Sequence, residues 1–321
     1  MGGLVRYAAV FPGQGSQGVG MGCDAATNSP AARALFERAA EVLGYDLLTL
    51  QRVGPEDRLR ETEYSQPAIF VTNLALYEAV RSDVRPVVTA GHSFGEICSL
   101  VIAHSLEFDE ALRIVSERAQ AMQAAAARKR GGMAAVLGLP AEQIRAVLER
   151  LAAENVGHVA MANFNSPTQI VISGDAAAVG AAAQPMLDAG AKRVIPLNVS
   201  GAWHSVLMEP AVERLSAAVD QSRFRLPEFD VISNVDGCVY RDVQTIKENL
   251  VRSIVEEVRW HDTAERILTY ELDRVVEFGA NNVLGALMRR MPNSPQVSVV
   301  SDSSGVEKLR AELQRATGAT V

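Results

Sequence analysis

The sequence predicts an α/β fold in which a large parallel-sheet domain is interrupted by a small inserted one, and three observations carry that expectation. Strand-like and helical runs alternate over residues 7–127 and again over 231–290, the order that lays helices on both faces of a parallel sheet. Between them, Met133 to Pro196 reads β-α-β-β-α-β, the ferredoxin-like pattern. Finally, Gly91-His92-Ser93-Phe94-Gly95 follows the β-prone Val87-Val88-Thr89 and matches GxSxG, the sharp strand-to-helix elbow that lifts a serine hydroxyl at a helix N-terminus.

Tyr7–Phe11 reads as a buried strand, followed by the Gly-rich turn Pro12–Gln17 and a helix through Ala31–Leu43. A second helix, Gln66–Arg81, is expected to open with Pro67, whose missing N–H costs nothing at that position. The elbow strand, a helix Gly95–His104 and a third near Phe108–Ala127 complete the first half. The texture changes at Arg130-Gly131-Gly132: strand Met133–Leu139, helix Ala141–Ala153, strands Val159–Asn163 and Gln169–Ser173, helix Ala176–Ala189 and strand Ala191–Pro196. Strand Val231–Asn234, helix Val243–Val255, strand Arg274–Glu277 and helix Asn282–Arg290 follow, and Thr317–Val321 reads as a frayed end. The expected division is a large α/β-hydrolase-like domain with a parallel sheet and nucleophile elbow, residues 1–130 and 199–321, and a small ferredoxin-like domain, residues 131–198.

The 321 residues, 48% hydrophobic and 21% charged, suit an ordinary globular protein. No apolar run reaches the ~18 residues of a membrane span, and Met1–Arg6 leads directly into the first strand, so neither span nor signal peptide is expected. Cys23, Cys98 and Cys238 are too few and scattered for a disulfide framework or a metal site and fit a reducing cytoplasm. A net charge of -7 argues against nucleic acid. The basic clusters Arg128-Lys129-Arg130, Lys192-Arg193 and Arg289-Arg290 are either solvated faces or docking patches for an acidic partner.

A serine nucleophile at Ser93 needs a base, and five histidines are available. His92 sits inside the elbow with its ring directed away from the serine, which suits a supporting role; His104 and His158 lie at element ends; His261 has no special company. His204 lies in the loop Val199–Ser205, where the insertion returns to the large domain and a cleft should form, and is the expected base. Two N–H donors must hold the oxyanion: Phe94, following the nucleophile, supplies one, and the loop Phe11–Gln17 is placed to supply the other. Taken alone that loop is equally a plain Gly-rich turn; it is no phosphate cradle, since no Gly-Lys-Ser/Thr follows.

Phe-Pro-Gly-Gln-Gly-Ser-Gln at 11–17, Gly-His-Ser-Phe-Gly-Glu at 91–96, Arg118 with Met122-Gln123, Asn163-Phe164-Asn165-Ser166-Pro167, His204 with Leu207-Met208, and Val258-Arg259-Trp260 occur in one order. The chain resembles the malonyl-CoA:acyl-carrier-protein transacylase family, which includes polyketide synthase acyltransferases. That resemblance implies a ping-pong transfer through acyl-Ser93, with His204 as base oriented by a backbone carbonyl and the amides of Gln14 and Phe94 on the oxyanion. It further implies Arg118 as a bidentate clamp on the free carboxylate of a malonyl group. Arg118, His92, Trp203 and Asn163 are the expected substrate-binding residues. No permanently bound cofactor is implied; a CoA thioester and a phosphopantetheinyl carrier protein are the expected substrates, the acidic carrier docking on Arg128, Lys129, Arg130, Arg289 or Arg290.

The residues before the histidine, Gly201-Ala202-Trp203, match neither pattern associated with malonyl or methylmalonyl selectivity, and a bulky Trp203 favours the unbranched group. Three departures stand out: Phe94 in place of a smaller aliphatic, Gly279-Ala280-Asn281-Asn282-Val283 in place of Gly-Pro-Gly-Lys-Val, and Ser253 in place of a glutamine. A discrete polyketide enzyme is as compatible as a fatty-acid one. The reading from a different class is a thioester hydrolase using the same Ser93 and His204.

Overall fold

The computed structural model describes residues 5–83 and 85–317. The expected lead-in at Met1–Leu4 and all but the first residue of the expected frayed end lie outside them. Among the described residues nine strands form two sheets: β1 (Tyr7–Phe11), β2 (Pro86–Gly91), β3 (Gly131–Leu137), β4 (Val159–Ser166), β5 (Gln169–Asp175), β6 (Arg193–Pro196), β7 (Asp230–Ile232), β8 (Arg274–Phe278) and β9 (Gln296–Val300).

The large sheet has the order β7-β2-β1-β8-β9, with parallel pairing throughout. β1 and β8 are buried along their whole length, as strands covered on both faces must be. Phe11 stacks on Phe278 at 5.8 Å between ring centres, fixing β1 against β8 under the helix Thr62–Glu78. That helix is buried on nearly every side, so its sequence shows no apolar stripe and its start was hidden. It opens at Thr62 rather than Gln66, and Pro67 lies inside it rather than at its first turn. The buried polar residues Thr62, Ser65 and Gln66, which look like a loop in sequence, are its first turns.

The small sheet runs β4-β5-β3-β6, all antiparallel, with the helices Ala141–Ala153 and Ala176–Asp188 packed on it. This is the ferredoxin-like order, reached because each helix returns the chain past one intervening strand.

Other differences are local. The short helices Leu47–Val53 and Glu56–Arg60, the helix Trp260–Leu268, strand β9 and the helix Ser303–Thr317 have no counterpart in the expectation. Leu47–Val53 is set by Asp46, whose carboxylate caps the Thr49 N–H at 2.9 Å. His261 sits in the first turn of Trp260–Leu268, with Nε2 3.3 Å from Glu265. The helix Val243–Arg252 ends three residues early, and β7 ends before Asn234. Among the described residues no helix is long and apolar enough to cross a membrane.

Candidate active site

The carboxyl ends of β1 and β2, at the middle of the large sheet, turn into the two loops that build the site. His92 N–H donates to the Phe11 carbonyl at 2.9 Å, so the loops leave side by side. A Cβ on Gly91 would stand 1.9 Å from the Gly95 carbonyl carbon, and one on Gly95 would stand 2.4 Å from the Phe11 oxygen. Both elbow glycines are therefore demanded by backbone approach, and between them Ser93 takes the left-handed conformation, φ 55°.

Ser93 Oγ lies 2.9 Å from His204 Nε2. His204 also has left-handed backbone, φ 58°, in a loop pinned by Ser205, whose hydroxyl donates to the Ala202 carbonyl at 2.7 Å. The opposite ring nitrogen, Nδ1, faces the carbonyls of Ser253 at 2.7 Å and Glu256 at 3.2 Å. The early end of the helix Val243–Arg252 leaves these carbonyls turned to the ring instead of to a further helical turn. The side chain at Ser253 thus has no bearing on the contact: its backbone makes it. A carbonyl only accepts, so Nδ1 carries the proton and Nε2 is left to accept from Ser93. Burial, then the charges of Arg118 and His92, push the His204 pKa down to about 3, so the imidazole is neutral.

Arg118 projects from the middle of the helix Phe108–Arg128 and is 2% exposed. Its Nη1 donates to Gln66 Oε1 at 2.9 Å and its Nη2 to Ser93 Oγ at 3.1 Å, while Nε is buried without a partner among the described residues. Burial lowers its pKa to about 10, which leaves it charged at neutral pH. The guanidinium stands over the Phe94 ring, 5.8 Å from its centre, so the aromatic in place of a smaller aliphatic gives the buried cation a π face.

Gln14, on the loop after β1, reaches Thr62 Oγ1 through Nε2 at 3.3 Å. Its loop is held by Asn73, which donates to the Pro12 carbonyl at 3.0 Å, and by Asn281, which donates to the Ser16 carbonyl at 2.9 Å. Asn281 is one of the departures noted in the sequence, and here it braces the Gly-rich turn. Among the described residues the backbone N–H groups of Gln14 and Phe94 are not spent on another acceptor of the chain.

A cavity of about 90 Å³ is shared by Ser93, His204, Arg118, His92, Asn163 and Trp203, so the structure brings every expected substrate-binding residue to one place. His92 Nε2 lies 2.9 Å from Asn165 Oδ1, and burial lowers its pKa. Trp203 occupies the space above Gly201, where a Cβ would meet its ring at 2.5 Å; the glycine is what lets the indole in. A second hollow of about 300 Å³ opens from Gln14, His92 and Asn163 to Arg290 at the surface. Of the basic clusters, Arg289 is engaged with Asn282 and the Val297 carbonyl, and Lys129 pairs with Asp175 at 2.5 Å; Arg128, Arg130 and Arg290 are exposed. A larger hollow of about 680 Å³, along the helix Phe108–Arg128 near Arg214 and Glu117, has none of these groups.

Sequence reasoning missed Gln66, Asn165 and Glu256. Asn165 lay within a quoted motif, and Gln66 was a polar residue heading an apolar run, but neither signal names a partner.

The sequence profile of the acyl transferase domain matches residues 9–317. A malonyl CoA-acyl carrier protein transacylase of Haemophilus influenzae is 38% identical over 302 residues, 93% of this chain and 96% of that protein. Its counterpart in Escherichia coli K12 is 36% identical over 94% of this chain and 98% of its own. The transacylase structure from Coxiella burnetii superposes with TM-score 0.92 at 33% identity, covering 97% and 98% of the two chains. A malonyl-transacylase solved in complex with its type II polyketide synthase acyl-carrier protein superposes with TM-score 0.91 at 36% identity, covering 96% and 99%. With an elbow serine, a facing histidine and a buried arginine gathered in one cleft, and with likeness along nearly its whole length, the chain belongs to the acyl transferase domain family, among the malonyl CoA-acyl carrier protein transacylases.

Proposed function

We propose that the protein moves a malonyl group from coenzyme A to the phosphopantetheine thiol of an acyl carrier protein through a malonyl-Ser93 ester, supplying fatty-acid or polyketide assembly. The observation that carries this reading is the buried Arg118 guanidinium, 3.1 Å from the Ser93 hydroxyl with its Nε–H unmatched. A carboxylate is the ligand that satisfies a planar Nε/Nη2 edge that, among the described residues, no other anion contacts.

Ser93 Oγ attacks the thioester carbonyl as its proton passes to His204 Nε2, and the N–H groups of Gln14 and Phe94 receive the oxyanion. The C–S bond breaks and the coenzyme A sulfur takes the proton from Nε2. In the second half the carrier thiol gives its proton to His204, attacks the ester, and Ser93 recovers the proton as it leaves. Arg118 is one of the causes that hold His204 neutral. A carboxylate bound there offsets that charge, so the acyl group itself eases formation of the imidazolium at the moment it is needed. His92 and Asn163 line both cavities and would hold the acyl chain and the arm.

For the acidic carrier, the hollow that runs from Gln14 to Arg290 supports docking at that end, with Arg289 behind it and Arg128, Lys129 and Arg130 as the second patch. The catalytic domain is taken as residues 1–130 and 199–321, the small domain as 131–198. Unpaired Cys23, Cys98 and Cys238 fit the cytoplasm in which we place the reaction.

Intact-mass measurement after mixing with malonyl-CoA tests the reading. A malonyl adduct on Ser93 that persists until carrier protein is added supports transfer. Rapid release of free malonate with no adduct would replace it with a thioester hydrolase.

A further inference from the structure

Glu96 closes the elbow motif but takes no part in the chemistry above. It lies in the first turn of the helix Gly95–Ile102, is 0% exposed, and pairs with no cation among the described residues. A buried carboxyl in that state is costly unless its oxygens are well supplied with donors. They are: Tyr240 donates its hydroxyl to Oε1 at 2.6 Å, and Asn234 donates both its backbone N–H at 2.6 Å and its Nδ2 at 2.5 Å to Oε2.

Asn234 is where the two halves of the catalytic pair meet. Its Nδ2 also donates to the Ser93 carbonyl at 3.3 Å, and its own carbonyl accepts from Arg259 N–H at 2.7 Å. Arg259 ends the segment whose carbonyls at Ser253 and Glu256 seat His204, and Val258 in that segment bonds Ala162 and Phe164 of β4 at 2.8 Å each. The amide oxygen of Asn234 is buried without a partner among the described residues, so the amide's orientation is dictated from its nitrogen end.

We propose that Glu96 is a positioning residue: through Asn234 it locks the strained Ser93 elbow to the segment that seats His204, and so sets the distance between nucleophile and base. This rests on the roles given to Ser93 and His204, not on the identity of the acyl group. Glu96 matters as an acceptor, and a proton on it would set a donor against Asn234 or Tyr240. Burial pushes its pKa up to about 7, helped by the like charge of Asp236, against the lowering by Tyr240 and Asn234; Arg118, on the facing helix, is the cation that feels its charge.

The test compares Glu96→Gln and Glu96→Ala by pre-steady-state acylation with whichever acyl-CoA loads the wild type best, across pH. Glu96→Ala is expected to slow maximal acylation by about 30-fold or more with KM changed less than about 3-fold, because it misplaces reacting groups without touching substrate. Glu96→Gln keeps one oxygen for Asn234 but sets an NH2 donor against Tyr240, as the protonated acid does, so it should acylate within about 5-fold of the low-pH rate of the wild type and lack the acid limb expected of the wild type near pH 7. Adding Asn234→Ala to Glu96→Ala should cost little more, since both act through one link. Undiminished acylation in Glu96→Ala, a pure KM effect, or an unchanged acid limb in Glu96→Gln overturns the proposal. If Glu96→Ala does not fold, the Glu96→Gln profile decides. Failure of the malonyl reading shows instead as a wild type that takes no malonyl adduct.

Discussion

His204 stands between two oxygens: its Nε2 is 2.9 Å from the Ser93 hydroxyl and its Nδ1 is 2.7 Å from the Ser253 carbonyl. A carbonyl in the place of the usual carboxylate orients the ring without adding negative charge; its hydrogen bond raises the basicity of His204, but burial, then the charges of Arg118 and His92, outweigh it.

Acid weakens the fold through His204. The folded pKa of about 3 lies below the ordinary 6.5, so the unfolded chain binds the extra proton first. The contribution of neutral His204 to stability is therefore present above pH 6.5 and is lost as pH falls toward 3. Relative to His204→Asn, the wild type should lose on the order of 2 kcal/mol by two pH units below 6.5, read by urea unfolding at several pH values. Parallel stability curves for the two proteins would contradict it.

Arg118→Ala should cut malonyl loading by roughly 10²-fold while leaving acetyl loading equal or faster, because only malonyl brings a carboxylate to the guanidinium. Parallel loading assays with the two CoA thioesters decide the matter, and unchanged malonyl kinetics would remove the clamp.

Gly13→Ala probes the oxyanion donors without deleting one. A Cβ there would stand 2.7 Å from the His92 carbonyl oxygen, so the loop bearing Gln14 must retreat from the elbow. Loss of one well-aimed N–H predicts a kcat lower by about 10²-fold with KM little changed. A fall in KM-determined binding alone would show that the loop serves only as a wall.

Trp203→Ala should admit a branch. The indole fills space beside a cavity of only about 90 Å³, and shortening it should raise methylmalonyl relative to malonyl loading about 10-fold or more. Competition between the two thioesters measures the ratio; a constant ratio would place the selectivity elsewhere.

What could be seen in the sequence was what is local in it. The elbow, the Gly-rich turn and the inserted β-α-β-β-α-β run are set by spacings of a few residues, and they appear where expected. The partners of the site residues are not local: Gln66 meets Arg118 across 52 positions, Asn165 meets His92 across 73, and Asn234 meets Glu96 across 138. No periodicity encodes such pairs. Burial hid the start of the helix at Thr62, because a helix enclosed on all sides presents no polar face to contrast with its apolar one. Strand β9 follows Pro292-Asn293-Ser294-Pro295, which reads as loop, and its half-buried residues lack clean alternation.

The pairing of Val258 with β4 has a consequence for traffic through the cleft. The two sheets cannot swing apart without pulling the segment that seats His204 off its ring, so a gaping enzyme would be a disarmed one. In the proposed reaction the hollow past Asn163 toward Arg290 is then the passage along which coenzyme A and the carrier arm are exchanged, with the framework closed at every turnover.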